Sequence, residues 1–226
     1  KGLFEIPVSK ADRRFFPFQY RGDEFGTEQG MVSEIIVENG CKFITLCSII
    51  QIKNHFNQSV NIYVFDGKIK YEKLTTIKPD KSFHVPLAAV YSPNSEFYFQ
   101  VAGEGQNMGI EKFTWRSLLT SVTHSEIIQC TNRNEKPDIY LNVMGTKQDI
   151  FLEKSGNLSY MFFTLDIRPQ LVFKNCLPVT LHYRLGDGEE YSFIEPGESG
   201  HLQGFRFSYT QLHMKIFEFR NADWTS

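Results

Sequence analysis

The sequence predicts an all-β protein built from tandem β-sandwich repeats with short antiparallel strands. Three observations carry that prediction. No segment of twelve or more residues keeps a clean helical period. Short alternating runs recur at roughly eight-to-twelve-residue spacing with turn signals between them, and the 226-residue chain holds 21 Phe and 10 Tyr, residue types suited to a pleated, half-buried surface. Finally, one stretch occurs twice. Ile50-Gln51-Ile52-Lys53-Asn54 and the break after it return 121 residues later as Leu171-Val172-Phe173-Lys174-Asn175. Downstream, Ile77-Lys78-Pro79-Asp80-Lys81-Ser82-Phe83-His84-Val85 returns 117 residues later as Ile194-Glu195-Pro196-Gly197-Glu198-Ser199-Gly200-His201-Leu202. Self-similarity in fixed order marks a repeated structural unit.

The elements follow in chain order. Arg13-Arg14-Phe15-Phe16-Pro17-Phe18-Gln19-Tyr20-Arg21 predicts a strand with Phe16, Phe18 and Tyr20 on one face and solvated arginine tips, and Pro17 confines it to an edge. Basic residues interleaved with aromatics can bind single-stranded nucleic acid, but a packed strand is the stronger reading in a chain of net charge −2. Residues 33–37 and 42–46 form a hairpin across Glu38-Asn39-Gly40. After the first repeat segment, strands are expected at 60–65, 70–74 and 96–101, turns at Asp66-Gly67 and 78–81, and alternation at Phe83, Val85 and Leu87. The glycine-rich loop 102–109 lacks both the Lys-Ser/Thr and the glycine order of phosphate-binding loops. Residues 111–119 read either as a helical turn or as a strand. Strands follow at 126–130, 138–143, 150–152 and 159–167, with a polar turn over 132–137. Beyond the second repeat segment, Gly186-Asp187-Gly188 turns, Tyr191 and Phe193 alternate, and 205–209 and 212–216 are strands.

The repeat divides the chain into the tail of one unit (1–47), a complete unit (48–168) and the head of another (169–226). Tail and head together approach one unit in length, so they could pack as a second sandwich. Phe97-Tyr98-Phe99 is matched to Met214-Lys215-Ile216, Trp115-Arg116-Ser117 to Trp224-Thr225-Ser226, and Phe43-Ile44-Thr45-Leu46 to Phe163-Thr164-Leu165.

Composition excludes several classes of function. A net charge of −2 and a pI near 6.3 give no global pull toward nucleic acid or an anionic membrane. No apolar run approaches the roughly twenty residues of a membrane span, and no signal peptide is expected. A chain opening at Lys1 reads as a piece of something longer. Cys41, Cys47, Cys130 and Cys176 lack metal-ligand spacing and are sparse for a disulfide framework, so reduced cysteines in a cytosolic protein are expected. Asn57-Gln58-Ser59 and Asn157-Leu158-Ser159 match the glycosylation acceptor pattern and are read as unmodified.

Chemistry is thin. The six histidines (His55, His84, His124, His182, His201, His213) include no pair at i, i+4. His182 is expected to point to solvent, opposite to Tyr183. His84 and His201 share a repeat position, which argues for structure. Glu189-Glu190 and Glu195 with Glu198 sit in turns, as solvated acids do. No nucleophile, base and orienter assemble, so no enzyme, cofactor or metal is expected. Asn54 and Asn175 stand apart: each ends a strand before a sharp break, where a carboxamide can bond the backbone two residues on. They are read as loop staples.

At these residues the sequence resembles the adaptor-binding (VAB, also called SHR-BD) domain repeats of the vacuolar protein sorting thirteen family. The resemblance rests on paired segments of alternating apolar residues ending in Lys-Asn, followed by Ile-x-Pro-Gly-x-Ser, and is good over 50–87 and 171–202. Asn57 stands where Pro178 does and Asp80 where Gly197 does, so the first copy is the more divergent. The family comprises bridge-like lipid transporters at organelle contact sites. The resemblance implies β-sandwich repeats marked by asparagines at Asn54 and Asn175, within a much larger cytoplasmic chain, peripheral at organelle membranes. It further implies a non-enzymatic interaction module binding short proline-containing (Pro-x-Pro) motifs of organelle adaptors, so that membrane association is indirect. An extended peptide would pair with an exposed strand or groove, with Asn175, Phe173, Tyr183 and Asn54 as candidate binding residues. Two alternatives stay open: spacer repeats with no ligand, and a membrane-surface or phosphoinositide-binding module using Lys10, Arg13, Arg14 and Arg21.

Overall fold

Two sheets share one apolar core, and the repeat explains how they are joined. The computed structural model describes residues 5–18, 29–65, 70–92, 94, 96–134, 138–151, 159–186, 191–202 and 211–216. Strands β1 (Arg13–Pro17), β2 (Gly30–Glu38), β3 (Cys41–Cys47) and β4 (Ile50–Asn54) open the chain. They are followed by β5 (Val60–Phe65), β6 (Tyr71–Ile77), β7 (Lys81–His84), a four-residue helix α1 (Leu87–Val90) and β8 (Glu96–Val101). Next come the two-residue β9 (Phe113–Thr114), a 3-10 turn (Trp115–Leu119), β10 (Thr123–Cys130), β11 (Ile139–Phe151) and β12 (Ser159–Pro169). The second repeat segment supplies β13 (Leu171–Lys174), β14 (Leu181–Leu185), β15 (Ser192–Ile194), β16 (Ser199–Leu202) and β17 (Leu212–Ile216).

The larger sheet runs β3-β2-β1-β11-β12-β4-β7, with β10 also on β11; the facing sheet runs β6-β5-β8-β9. Alternation in β4 and β5 sends Ile50, Ile52, Val60, Ile62 and Val64 inward, where they meet Phe97, Phe99, Leu141, Val143, Phe163 and Leu165. Trp115 is fully buried, its ring centroid 5.3 Å from that of Phe163. The 3-10 turn comes this close because Gly145 leaves room: a Cβ there would lie 2.6 Å from Phe113 and 2.7 Å from Leu118. The first strand of the unit, β4, pairs in parallel with its last, β12, from Phe163↔Ile50 to Ile167↔Asn54.

Several expectations are met residue for residue. The 38–40 hairpin turns through Asn39 and Gly40, both at positive φ, and β8 spans 96–101. Residues 111–119 are both a strand end and a helical turn. Others need correction. Leu87 begins α1 rather than ending a strand. The strands expected at 138–143 and 150–152 are one, β11, whose residues 141–151 form an unbroken ladder with β12. Phe15, not Phe16, is the buried ring of β1, because register with β2 places it opposite the fully buried Val32. The arginine tips are not solvated: the Arg13 guanidinium bonds Glu34 and Gln148 and lies over the Phe162 ring, and Arg14 is buried against Asp12. Tyr20, Arg21, Asp66-Gly67, Leu152, 187–190, 205–209 and Trp224-Thr225-Ser226 lie outside the described residues.

The two repeat segments fold alike. β4 pairs with β7 and β13 with β16, with Lys53↔Ser82 matched by Lys174↔Ser199. Leu181↔Ile194 repeats Val60↔Ile77. Leu181↔Ile216 repeats Val60↔Val101, so Ile216 answers Val101 and Met214 answers Phe99. Met214–Ile216 therefore corresponds to Phe99–Val101 rather than to the expected Phe97–Phe99, a two-residue shift that keeps the same faces and leaves the alternation unchanged. Strands β1 to β3 extend the sheet of β4, β7 and β12 through β11; among the described residues no ladder joins them to β13–β17.

One turn separates the copies energetically. In both, the turn closes from the first carbonyl to the fourth amide (Lys81 to Lys78, Glu198 to Glu195), with Pro79 or Pro196 second and a positive-φ residue third. This is the type II pattern, which favours Gly at the third position. Asp80 holds it at φ 56° and Gly197 at φ 82°. Asp80→Gly is expected to raise stability by up to about 1 kcal/mol, and Gly197→Ala, whose Cβ meets nothing within 4 Å, to lower it by about 1 kcal/mol. Urea midpoints of the two variants check the pair of opposite signs.

Candidate binding surface

The loops after β4 and β13 are built around one carboxamide each. The Asn54 side-chain amide donates to the Gln58 carbonyl (2.8 Å) and the Ile77 carbonyl (2.9 Å), and its oxygen accepts from the Phe56 amide (2.9 Å). Asn175 does the same with Val179 (2.8 Å), Ile194 (2.9 Å) and Leu177 (3.0 Å). Both are 1% exposed, and each uses both donors and its acceptor on backbone. The carboxamide therefore fixes where β5 or β14 leaves the turn. His55 adds a second tie in the first copy, its Nε2 lying 2.7 Å from Asp166 on β12; Cys176 occupies the matching place in the second.

Phe173 and Tyr183 lie near Asn175. Phe173 is half-buried opposite Gly200 on β16. A Cβ on Gly200 would sit 2.6 Å from Ile194 and 3.5 Å from the Tyr183 hydroxyl. Phe173, Tyr183 and Asn175 thus gather around Ile194 on the inner side of the second copy. Asn54 belongs to a separate loop, which touches the second copy through Phe56, whose ring is 6.3 Å from that of His201.

The outer side of the β15-β14-β17 sheet is different in kind. His182 faces outward opposite Phe193 on β15 and Lys215 on β17. Its ring lies 5.8 Å from Tyr191 and 6.1 Å from Phe193, so it is one wall of an aromatic cluster rather than a free solvent tip. Phe193 is 62% exposed and Tyr191 58%. At the positions matching His182, Phe193 and Lys215 the first copy has Asn61, Thr76 and Gln100. There Asn61 bonds Gln100 (3.0 Å) and Thr76 (2.7 Å), and Tyr63 bonds Gln100 (2.7 Å). Further along the same sheet the first copy carries a cluster of its own, Tyr71 lying 5.2 Å from Phe65 and 4.9 Å from Tyr98 between ring centroids and 42% exposed. Sequence alternation placed Tyr191 and Phe193 on a strand but gave no sign that their face lacks a cover. Comparing the two copies, Asn61 and Thr76 against His182 and Phe193, supplies that sign.

The remaining reactive groups point elsewhere. Burial pushes the thiols of Cys47 and Cys130 up to about 11, opposite to what a nucleophilic thiolate needs. Burial likewise lowers the pKa of His84. Among the described residues no three His, Cys, Asp or Glu gather as a metal site, and no helix is long and apolar enough to cross a membrane.

The chain is thus a stapled β repeat whose second copy displays an exposed aromatic cluster. The chain matches the model for the adaptor binding domain of vacuolar-sorting associated protein 13 over residues 2–220 and belongs to that family. It is 27% identical over 239 residues to the intermembrane lipid transfer protein VPS13A of Mus musculus, covering 98% of this chain and 7% of that protein. It is 24% identical over 226 residues to VPS13C of Homo sapiens, covering 97% and 6%. The chain therefore spans less than a tenth of the length of these relatives.

Proposed function

We propose that this chain is a non-enzymatic adaptor-binding module that holds a Pro-x-Pro segment of an organelle adaptor on the aromatic face of β14 and β15. The observation that carries the reading is the exposed His182–Tyr191–Phe193 cluster: Tyr191 and Phe193 are 58% and 62% exposed, and where the second copy has His182 and Phe193 the first has Asn61 and Thr76, bonded to each other. Tyr191 and Phe193 are two residues apart, so in extended backbone their side chains are spaced by roughly 6–7 Å. Two prolines separated by one residue in an extended peptide have nearly the same spacing. Proline rings on aromatic faces are a recurrent recognition mode, and among the described residues β15 is the edge of its sheet. Asn175, Phe173 and Tyr183 act from beneath by fixing the sheet that displays the cluster; Asn54 does the same for the first copy.

The unit assignment fits this reading: 48–168 a complete repeat, 1–47 the tail of the one before, 169–226 the head of the next. In a cytoplasmic parent of the relatives' length, such a module would direct a lipid-transfer protein to organelle contact sites through the adaptor. The membrane-surface alternative loses support because Arg13 and Arg14 are engaged with Glu34 and Asp12.

Titration with a fluorescent Pro-x-Pro peptide tests the proposal. Phe193→Ala and Tyr191→Ala are expected to weaken binding by about tenfold or more each, the size of a central aromatic contact. Thr76→Ala on the matching face of the first copy should leave it unchanged. A folded protein that binds no such peptide would favour spacer repeats. Undiminished binding by Phe193→Ala would move the site off this face.

A further inference from the structure

We infer that strands β1 to β3 are held on the rest of the sheet by an acid-sensitive latch, and that a proton on His84 releases it. Backbone contributes little to the join. Among the described residues β1 meets β11 in register only at Arg14↔Phe151, whereas β11 and β12 pair without a break over 141–151. Side chains make the rest of the attachment. Phe15 stacks on Tyr160 with ring centroids 4.2 Å apart. The Tyr91 hydroxyl accepts from the Gly30 amide (2.8 Å) and donates to the Gly30 carbonyl (2.9 Å), tying the start of β2 to the residue after α1. Arg13 reaches across β11, bonding Gln148 (3.2 Å) and lying 4.1 Å from the centre of the Phe162 ring.

His84 comes to the same ring from β7, edge to face, with centroids 6.4 Å apart. Phe162 points away from its neighbour Phe163 and is still only 1% exposed, so Arg13 and His84 are part of its cover. The His84 Nδ1 is buried without a hydrogen-bond partner, and its Nε2 lies 3.3 Å from the Gln51 side-chain nitrogen, which can only donate. A neutral imidazole meets that nitrogen as an acceptor; a protonated one is a donor at both nitrogens and loses the bond. The charged groups around His84 are Glu34 on β2, Arg13 on β1 and Lys53 on β4. Glu34 is already bonded to Arg13, and the Cys47 thiol of β3, near the same pair, stays neutral. β11 and β12 set Gln148, Ile150, Tyr160, Phe162 and Thr164 on that face, and the next acid along it, Asp166, is bonded to His55. Burial first, and the two cations after it, hold the pKa of His84 below its ordinary value.

The direction follows from linkage. A histidine released into water regains its ordinary pKa of about 6.5. Below that value the open form binds a proton that the closed form refuses, so acid favours opening, by up to about tenfold per pH unit for one group. The proton is refused where Arg13, Phe162 and His84 meet, so the join gives way before the strands packed on Trp115 and Phe163 do. Opening bares Phe15, Val32 and Phe162, three side chains that are buried when the latch is shut.

Proton–nitrogen correlation spectra of the whole chain between about pH 7.5 and 5.5, the range in which histidine titrates, test this. The expected result is that amides of β1 and β2 lose their closed-state positions as the pH falls below about 6.5, while those of β5 and β8 keep theirs. His84→Gln, which keeps a hydrogen-bonding side chain but takes up no proton, should stay closed throughout. Tyr91→Phe removes the tie to Gly30 without changing any charge and should open at a higher pH than the parent. His124→Gln, on β10, should leave the transition where it was. A parent chain whose β1 and β2 stay closed over the whole range overturns the proposal. So does an acid transition that survives in His84→Gln, or one in which β5 and β8 open together with β1.

Discussion

Asn54→Ala is expected to lower stability by about 4 kcal/mol, a large share of what holds a domain together. The substitution leaves the Gln58 and Ile77 carbonyls and the Phe56 amide without their partner, in a site 1% exposed where water cannot replace it. Each orphaned buried group costs about 1–3 kcal/mol. Asn54→Asp is the sharper variant. It keeps the acceptor and loses both donors, so most of the loss should remain even though volume is unchanged. Urea unfolding followed by circular dichroism reads both variants. If Asn54→Asp unfolds at the parent midpoint, the two carbonyl bonds are not what the residue contributes. Asn175→Ala should act on the second copy and so show first as lost display of Tyr191 and Phe193.

The second large effect is expected at Trp115. Its indole fills the space between the two sheets beside Phe163 and Leu118, and Trp115→Ala should cost about 3–5 kcal/mol through lost burial and the cavity left behind. Trp115→Phe tests the polar part separately. The indole Nε1 is buried without a hydrogen-bond partner, so phenylalanine removes an unpaired donor while leaving a smaller void. It should cost about 1–2 kcal/mol, well below alanine. Equal losses for the two variants would mean that the surrounding core collapses around the alanine.

What the sequence made legible was local chemistry. Asn39-Gly40 and Pro79-Asp80 name their own turns, and Lys-Asn at a strand end names a staple, because each depends on a few adjacent dihedrals and one side chain. Position within a sheet was not legible. Arg13 looks like a solvent tip until Glu34 and Phe162, distant in sequence, are folded onto it. β11 reads as two strands because Gly145 to Gln148 breaks the apolar alternation, yet the ladder with β12 runs straight through. The aromatic face was hidden for the same reason: alternation tells which residues share a side, not whether anything covers it. Phe193 and Phe99 both sit in alternating runs, and one is 62% exposed while the other is fully buried.

The parallel ladder between β4 and β12 has a consequence for how the protein is made. Because Ile50 pairs with Phe163, the strand that opens the unit waits for a partner more than a hundred residues downstream. At roughly 5–20 residues per second of synthesis, β4 leaves the ribosome roughly 5–20 s before β12 exists. During that interval its inward isoleucines have only the local hairpin partners to cover them, and loop closure over such a span is a slow kind of folding event. A chain cut anywhere between β4 and β12 keeps the turns and the staple but lacks the strand that pairs with β4 along the sheet.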